Sequence, residues 1–147
     1  MIRFTFVCVG KLKEEYMKAA VRDYTLRLSR YAKTEFIEVP DSSVPEEGRA
    51  LLAKIPSRSY AVALDLHGTM LSSEKLAEAL GNAMNSGFSD ICIVIGGSDG
   101  IDRQVTDRAD LRLSLSPMTF THLMTRLIVL EQFYRSMKIL NGEKYHK

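Results

Sequence analysis

Asp90-Ile91-Cys92-Ile93-Val94-Ile95-Gly96-Gly97-Ser98-Asp99-Gly100 is the stretch whose reading decides the fold. Its apolar residues, Ile91 to Ile95, run without a polar break and stop at two glycines. A short apolar run bounded by turn residues fits a strand buried on both faces, as in a parallel sheet. Gly96, Gly97 and Gly100 leave the backbone free to turn and let a ligand approach the main chain closely. In open α/β sheets, ligands bind beyond the carboxyl ends of strands, which is where these glycines fall. An ordinary βα turn would carry the same glycines, so the stretch by itself points to a strand and leaves the ligand open.

The flanking chain alternates strands with helices. Residues 2–9 are rich in β-branched and aromatic side chains and predict a first strand, ended by Gly10. Residues 11–32 have helical periodicity, with Tyr16, Ala20, Tyr24, Leu28 and Tyr31 on the expected buried side. Residues 34–39 predict a second strand closed by Pro40, and residues 46–55 a short helix before Pro56. Residues 60–66 predict a third strand that His67-Gly68-Thr69 breaks. Ser72 or Ser73 then caps a helix that buries Leu76, Leu80, Ala83 and Met84 and ends at Gly87. After the opening strand come a short polar helix over 102–109, a fifth strand over 111–115 and a long helix over 121–140. The long helix is apolar over most of its surface and needs more than one neighbour, so a second copy of the chain is an expected cover. The expected class is α/β, a mainly parallel sheet with helices on both faces.

Bulk composition narrows the function. At 147 residues the chain is expected to form one domain, residues 1–147, and 46% hydrophobic against 26% charged residues is a globular balance. A net charge of +2 does not diagnose nucleic-acid binding, so a basic surface would have to come from uneven distribution. Residues 11–33 hold seven Lys/Arg against three acids, a net of +4 that leaves the remainder acidic. On a helix, Lys11, Lys18, Arg22 and Lys33 would share one side, either as a solvated face or as a phosphate-contacting surface. Cys8 and Cys92 lie in apolar runs without metal-ligand spacing, as buried reduced thiols would. No signal-peptide pattern or membrane span is read, and a soluble cytoplasmic protein is expected.

Three strand ends carry loops suited to a small molecule: residues 64–69, 95–100 and 115–120. If their strands are parallel and adjacent, these loops converge. Rich in Gly, Ser and Thr, they would grip a ligand through backbone groups, which suits a purine edge or the polar ends of an amino acid. The phosphate-binding Gly-x-Gly-x-x-Gly and Gly-Lys-Ser/Thr patterns are missing, as is the Gly-x-Ser-x-Gly elbow. No His-x-x-x-His or Cys-x-x-Cys pair exists, so no metal is expected. His67, His122 and His146 each have a structural explanation as well as a chemical one.

Taken together, Ala63-Leu64-Asp65, the segment from Ile95 to Gly100, Leu113-Ser114-Leu115-Ser116-Pro117-Met118-Thr119 and the near-terminal Tyr145-His146 resemble the RlmH group of SPOUT-superfamily methyltransferases. The resemblance covers the whole chain in order. It implies methylation of N3 of a pseudouridine in a stem-loop of 23S rRNA, from S-adenosylmethionine, on assembled ribosomes. It also implies a homodimer and a C-terminal trefoil knot, a rare exception to unthreaded topology. By matching position, Leu64, Gly96, Leu115, Ser116, Pro117, Met118, Thr119 and Phe120 are expected to contact the cofactor. Since chemistry on a base needs it out of the stack, Tyr145 is expected to orient the target, and His146 to take the N3 proton. Lys11, Lys18, Arg22, Arg126 and Lys147 are the expected phosphate contacts. Two departures stand out: Lys147 where relatives commonly have Arg, losing the bidentate fork, and Ser98-Asp99 where many have Pro-Glu. The rival readings are a SPOUT methyltransferase acting on another RNA and a non-catalytic nucleotide- or ribosome-binding module.

Overall fold

A computed structural model describes residues 1–144. Five strands, β1 (Ile2–Val9), β2 (Ala32–Val39), β3 (Tyr60–Met70), β4 (Asp90–Ile95) and β5 (Leu111–Ser114), alternate with five helices. The helices are α1 (Glu15–Leu28), α2 (Val44–Lys54), α3 (Ser73–Asn85), α4 (Arg103–Arg108) and α5 (His122–Leu140). The sheet order is β2-β1-β4-β3-β5, and every pairing is parallel. β4 thus has a partner on each edge. Its side chains alternate between two cores, as strand geometry requires.

Ile91, Ile93 and Ile95 point to one side, with Phe4, Phe6 and Cys8 of β1. There they meet Val21 and Leu28 of α1, Leu76 and Leu80 of α3, and Val129, Leu130 and Phe133 of α5. Cys92 and Val94 point to the other side, where Val7 and Val9 meet Leu51 of α2 and Val105 of α4. Helices therefore cover both faces. The alternation explains why the run from Ile91 to Ile95 has no polar break: neither face of β4 reaches water.

Local signals start the helices as read from the sequence. The hydroxyls of Ser72 and Thr121 accept from the Lys75 and Met124 amides, at 3.1 and 3.2 Å. The first helix differs. It begins at Glu15, because Gly10 turns at φ +93° and the Leu12 amide donates to Glu38 Oε2 at 3.2 Å. It ends at Leu28, because Ala32 and Lys33 pair with Ile2 and Arg3. Lys11 and Lys33 therefore lie off the helix, and the expected four-residue stripe does not form. Its buried face is Met17, Val21 and Leu28, whereas Tyr16 is 70% exposed.

The long helix also corrects one expectation. Arg126 was expected at phosphates, yet it is buried within the subunit, donating to Glu38 at 2.6 Å and to the Gly10 carbonyl at 3.1 Å. Further along, Glu143 accepts from the Tyr31 hydroxyl at 2.6 Å and from Lys138 at 2.8 Å. The Lys138 and Tyr31 hydrogen bonds hold the Glu143 carboxyl below its ordinary value.

Two outcomes follow from this packing. Phe133 is fully buried with its ring 5.2 Å from that of Phe4, so Phe133→Ala should cost about 4 kcal/mol in urea unfolding. Because its folded pKa is depressed, Glu143 contributes stability at pH above the ordinary carboxylate range and loses it as pH falls through the folded value. Glu143→Gln should accordingly flatten the acid side of the stability–pH curve; an unchanged curve would show that the contact contributes nothing.

Candidate active site

The strand order sets the carboxyl ends of β4, β3 and β5 side by side, so the three loops do meet at one edge of the sheet. β3 runs past the point where the His67-Gly68-Thr69 break was expected. Leu64 and Thr69 both lie opposite Leu113, so the residues between them loop out of register. Asp65 accepts from the His67 amide at 3.0 Å inside that bulge. A Cβ on Gly68 would lie 2.5 Å from the Arg112 carbonyl oxygen, which is why the bulge can rest on β5.

After β4, the Gly100 amide donates to the Gly97 carbonyl at 3.2 Å, and Gly100 adopts φ +102° to close the turn. A Cβ on Gly96 would stand 2.7 Å from the Gly100 carbonyl oxygen. The close approach that requires glycine at 96 is therefore first of all within the loop. A Cβ on Gly97 would lie 2.9 Å from Glu47 Oε1 and 3.1 Å from Val9 Cγ1. Glu47, a buried carboxylate in the first turn of α2, also accepts from the Ser42 amide at 2.9 Å. It braces the glycine loop from behind.

The third loop is held by serines. Ser114 Oγ donates to the Ser116 carbonyl at 3.3 Å, and Ser116 Oγ accepts from the Met118 amide at 3.0 Å. Leu64, Leu115 and Ser116 are half-buried, Gly96 is buried, and Pro117, Met118, Thr119 and Phe120 are exposed. Leu66, Met70, Met118 and Phe120 are large apolar residues left exposed on these loops and on the end of β3. All the expected cofactor residues thus come from the three loops or the strand ends that carry them.

Of the expected cations, Lys18 and Arg22 stand four residues apart on α1. Lys11 is exposed before α1, Lys18 is half-buried beside Glu15 at 3.5 Å, and Arg22 is exposed. Tyr145, His146 and Lys147 lie outside the described residues. Burial pushes the thiols of Cys8 and Cys92 up to about 12, so both stay protonated and unreactive at neutral pH. No cluster of metal-ligating side chains occurs among the described residues.

Sequence reasoning missed two features. Glu47 follows Glu46 in a helical first turn, and nothing in the local pattern separates the brace from its exposed neighbour. The second is a cleft of about 690 Å³ at the carboxyl ends of β1 and β2, lined by Gly10, Asp41 and His122 among others. Those residues are remote in sequence, so no spacing links them.

The arrangement of parallel strands with functional loops at one edge has counterparts among known proteins. The family described as "Predicted SPOUT methyltransferase" matches residues 2–146. The chain belongs to the SPOUT methyltransferase family. Two curated relatives of this SPOUT protein are each named Ribosomal RNA large subunit methyltransferase H, from Clostridium novyi and Alkaliphilus oremlandii. Each is 45% identical over 159 residues, covering 99% of this chain and 100% of the relative. Among solved structures, a probable methylase family protein from Haemophilus influenzae superposes with a TM-score of 0.61 at 16% identity, over 98% of this chain and 70% of its own. A tRNA (m1G37) methyltransferase from Aquifex aeolicus gives 0.55 at 16% identity, over 91% and 69%. At that identity the likeness shows the fold.

The glycine contacts make a direct test. Gly96→Ala and Gly68→Ala each drive a Cβ into a backbone carbonyl, so each should cost about 1–3 kcal/mol in urea unfolding. Gly87→Ala meets nothing within 4 Å but sits at φ +102°, so its smaller penalty should be conformational.

Proposed function

We propose that this chain methylates N3 of a pseudouridine in a stem-loop of 23S rRNA, using S-adenosylmethionine and acting on assembled ribosomes in the cytoplasm. The observation that carries the reading is the convergence of three backbone-rich loops at adjacent strand ends, in a chain that matches ribosomal RNA methyltransferases along its whole length. The residues present fit the methyl donor. The loops offer main-chain donors and acceptors for polar edges, and Leu64, Leu115 and Met118 offer apolar surface for an adenine ring.

When bound, S-adenosylmethionine supplies an electrophilic sulfonium methyl, and the chain's main task is alignment. Leu64, Gly96, Leu115, Ser116, Pro117, Met118, Thr119 and Phe120 hold the donor. The N3 proton has to leave the target base, and His146 takes it while Tyr145 orients the base. Lys11, Lys18, Arg22 and Lys147 contact RNA phosphates. Arg126 is left out of that set because its guanidinium is committed inside the subunit. The protein works as a homodimer with a C-terminal trefoil knot. Exposed Met124 and Leu140 on α5, together with the apolar loop residues, support a partner surface.

Calorimetric titration with S-adenosylmethionine should give heat of binding both for the full chain and for a chain lacking Tyr145 to Lys147. The shortened chain should lose methylation of ribosomes. Undiminished methylation without the tail would contradict the roles given to Tyr145 and His146, and absence of binding heat in the full chain would contradict the donor site.

A further inference from the structure

The cleft at the carboxyl ends of β1 and β2 is separate from the three loops but abuts them. Cys8 pairs with Ile95, which places the end of β1 beside the end of β4, and His122 follows the third loop after one residue, Thr121. The hollow, about 690 Å³, is open to solvent and walled in part by Val39, Pro40 and Leu123. It is large enough to take a single base, and Lys11 and Lys13 line it as well.

Two polar side chains flank the same point in it. The position that a Cβ on Gly10 would occupy lies 2.8 Å from His122 Nε2 and 3.7 Å from Asp41 Oδ2. Glu38 Oε2 accepts from both Arg126 and the Leu12 amide, and the Gly10 carbonyl accepts from Arg126. Asp41 is exposed and stands outside that network. Glu14, also on the rim, belongs to the start of α1. Of the carboxylates lining the cleft, Asp41 is the one that stands with the imidazole among the nearest groups to that point.

Pseudouridine is joined to its ribose through carbon, so its N1 keeps a hydrogen that uridine lacks. Only an acceptor can read that hydrogen, and an ionised carboxylate is acceptor-only. We propose that this cleft receives the target base and that Asp41 accepts its N1–H, so that Asp41 separates pseudouridine from uridine. The proposal rests on the reading of the chain as a pseudouridine methyltransferase and adds the residue that selects the substrate.

The test compares wild type, Asp41→Ala and Asp41→Asn on two ribosome preparations, one with pseudouridine at the target position and one with uridine there. Wild type should favour the pseudouridine ribosomes in kcat/KM. A charge-assisted hydrogen bond corresponds to a factor of about 10–100, so Asp41→Ala should lower kcat/KM on pseudouridine by that much and bring the ratio towards one. Asp41→Asn keeps a carbonyl acceptor and should fall between the two. S-adenosylmethionine binding measured on each variant reports that the fold and donor site are intact. A ratio unchanged in Asp41→Ala, or a wild type without preference, overturns the role of Asp41 while leaving methyltransferase activity standing. A wild type that methylates neither preparation overturns the parent reading as well.

Discussion

Everything at the candidate site depends on the burial of β4. Its residues Ile91 to Ile95 are at most 2% exposed, it is hydrogen-bonded along both edges, and helices cover both faces. Side chains of this kind contribute about 1.5–3 kcal/mol each when fully buried. A strand so constrained cannot slide by one residue without exchanging its two cores. The ends of β1 and β3 are registered against it, and β5 is registered against β3. The loops that leave these ends inherit positions fixed by the core, which is what an enzyme whose work is alignment needs.

Arg126 extends that constraint across the site. A fully buried guanidinium in an apolar helix is unfavourable unless its donors are met, and here Glu38 and the Gly10 carbonyl meet two of them. The pairing ties α5 to the ends of β1 and β2. Because α5 directly follows the loop from Leu115 to Phe120, the same contact couples the expected donor loop to the Gly10 cleft. Glu47 of α2 packs its carboxylate against the Gly97 position and accepts from the Ser42 amide. The site is thus braced by charged groups that point inward.

Much of the fold was legible because burial writes itself into side-chain period. The unbroken run from Ile91 to Ile95 revealed the central strand, and Ser72 announced its helix by hydrogen-bonding chemistry that is local. What escaped were tertiary effects. Lys11 to Glu14 read as helix until the Leu12 amide proved to be captured by Glu38, and Ala32 and Lys33 were drawn into β2 by pairing with β1. β3 outran its glycine because β5 lies beside it. Tyr16 fitted the helical stripe, yet no neighbour covers it. Arg126 was the sharpest miss: a charged residue on a helix ordinarily faces water, and nothing nearby in sequence names Glu38 as its partner.

The three glycine- and serine-rich loops were visible as a set from sequence, and strand adjacency brought them together. The acidic and imidazole groups around Gly10 and Gly97 were not visible, because their proximity is a product of the fold alone. Both groups belong in one proposed account, in which this SPOUT methyltransferase would hold a methyl donor at the ends of β3, β4 and β5 beside a slot for a base. Mass spectrometry of ribosomal RNA after incubation of ribosomes with the enzyme and isotopically labelled S-adenosylmethionine tests that account most directly. It predicts one labelled methyl group on N3 of a pseudouridine in 23S rRNA; label absent from rRNA, or carried on another nucleotide, would contradict it.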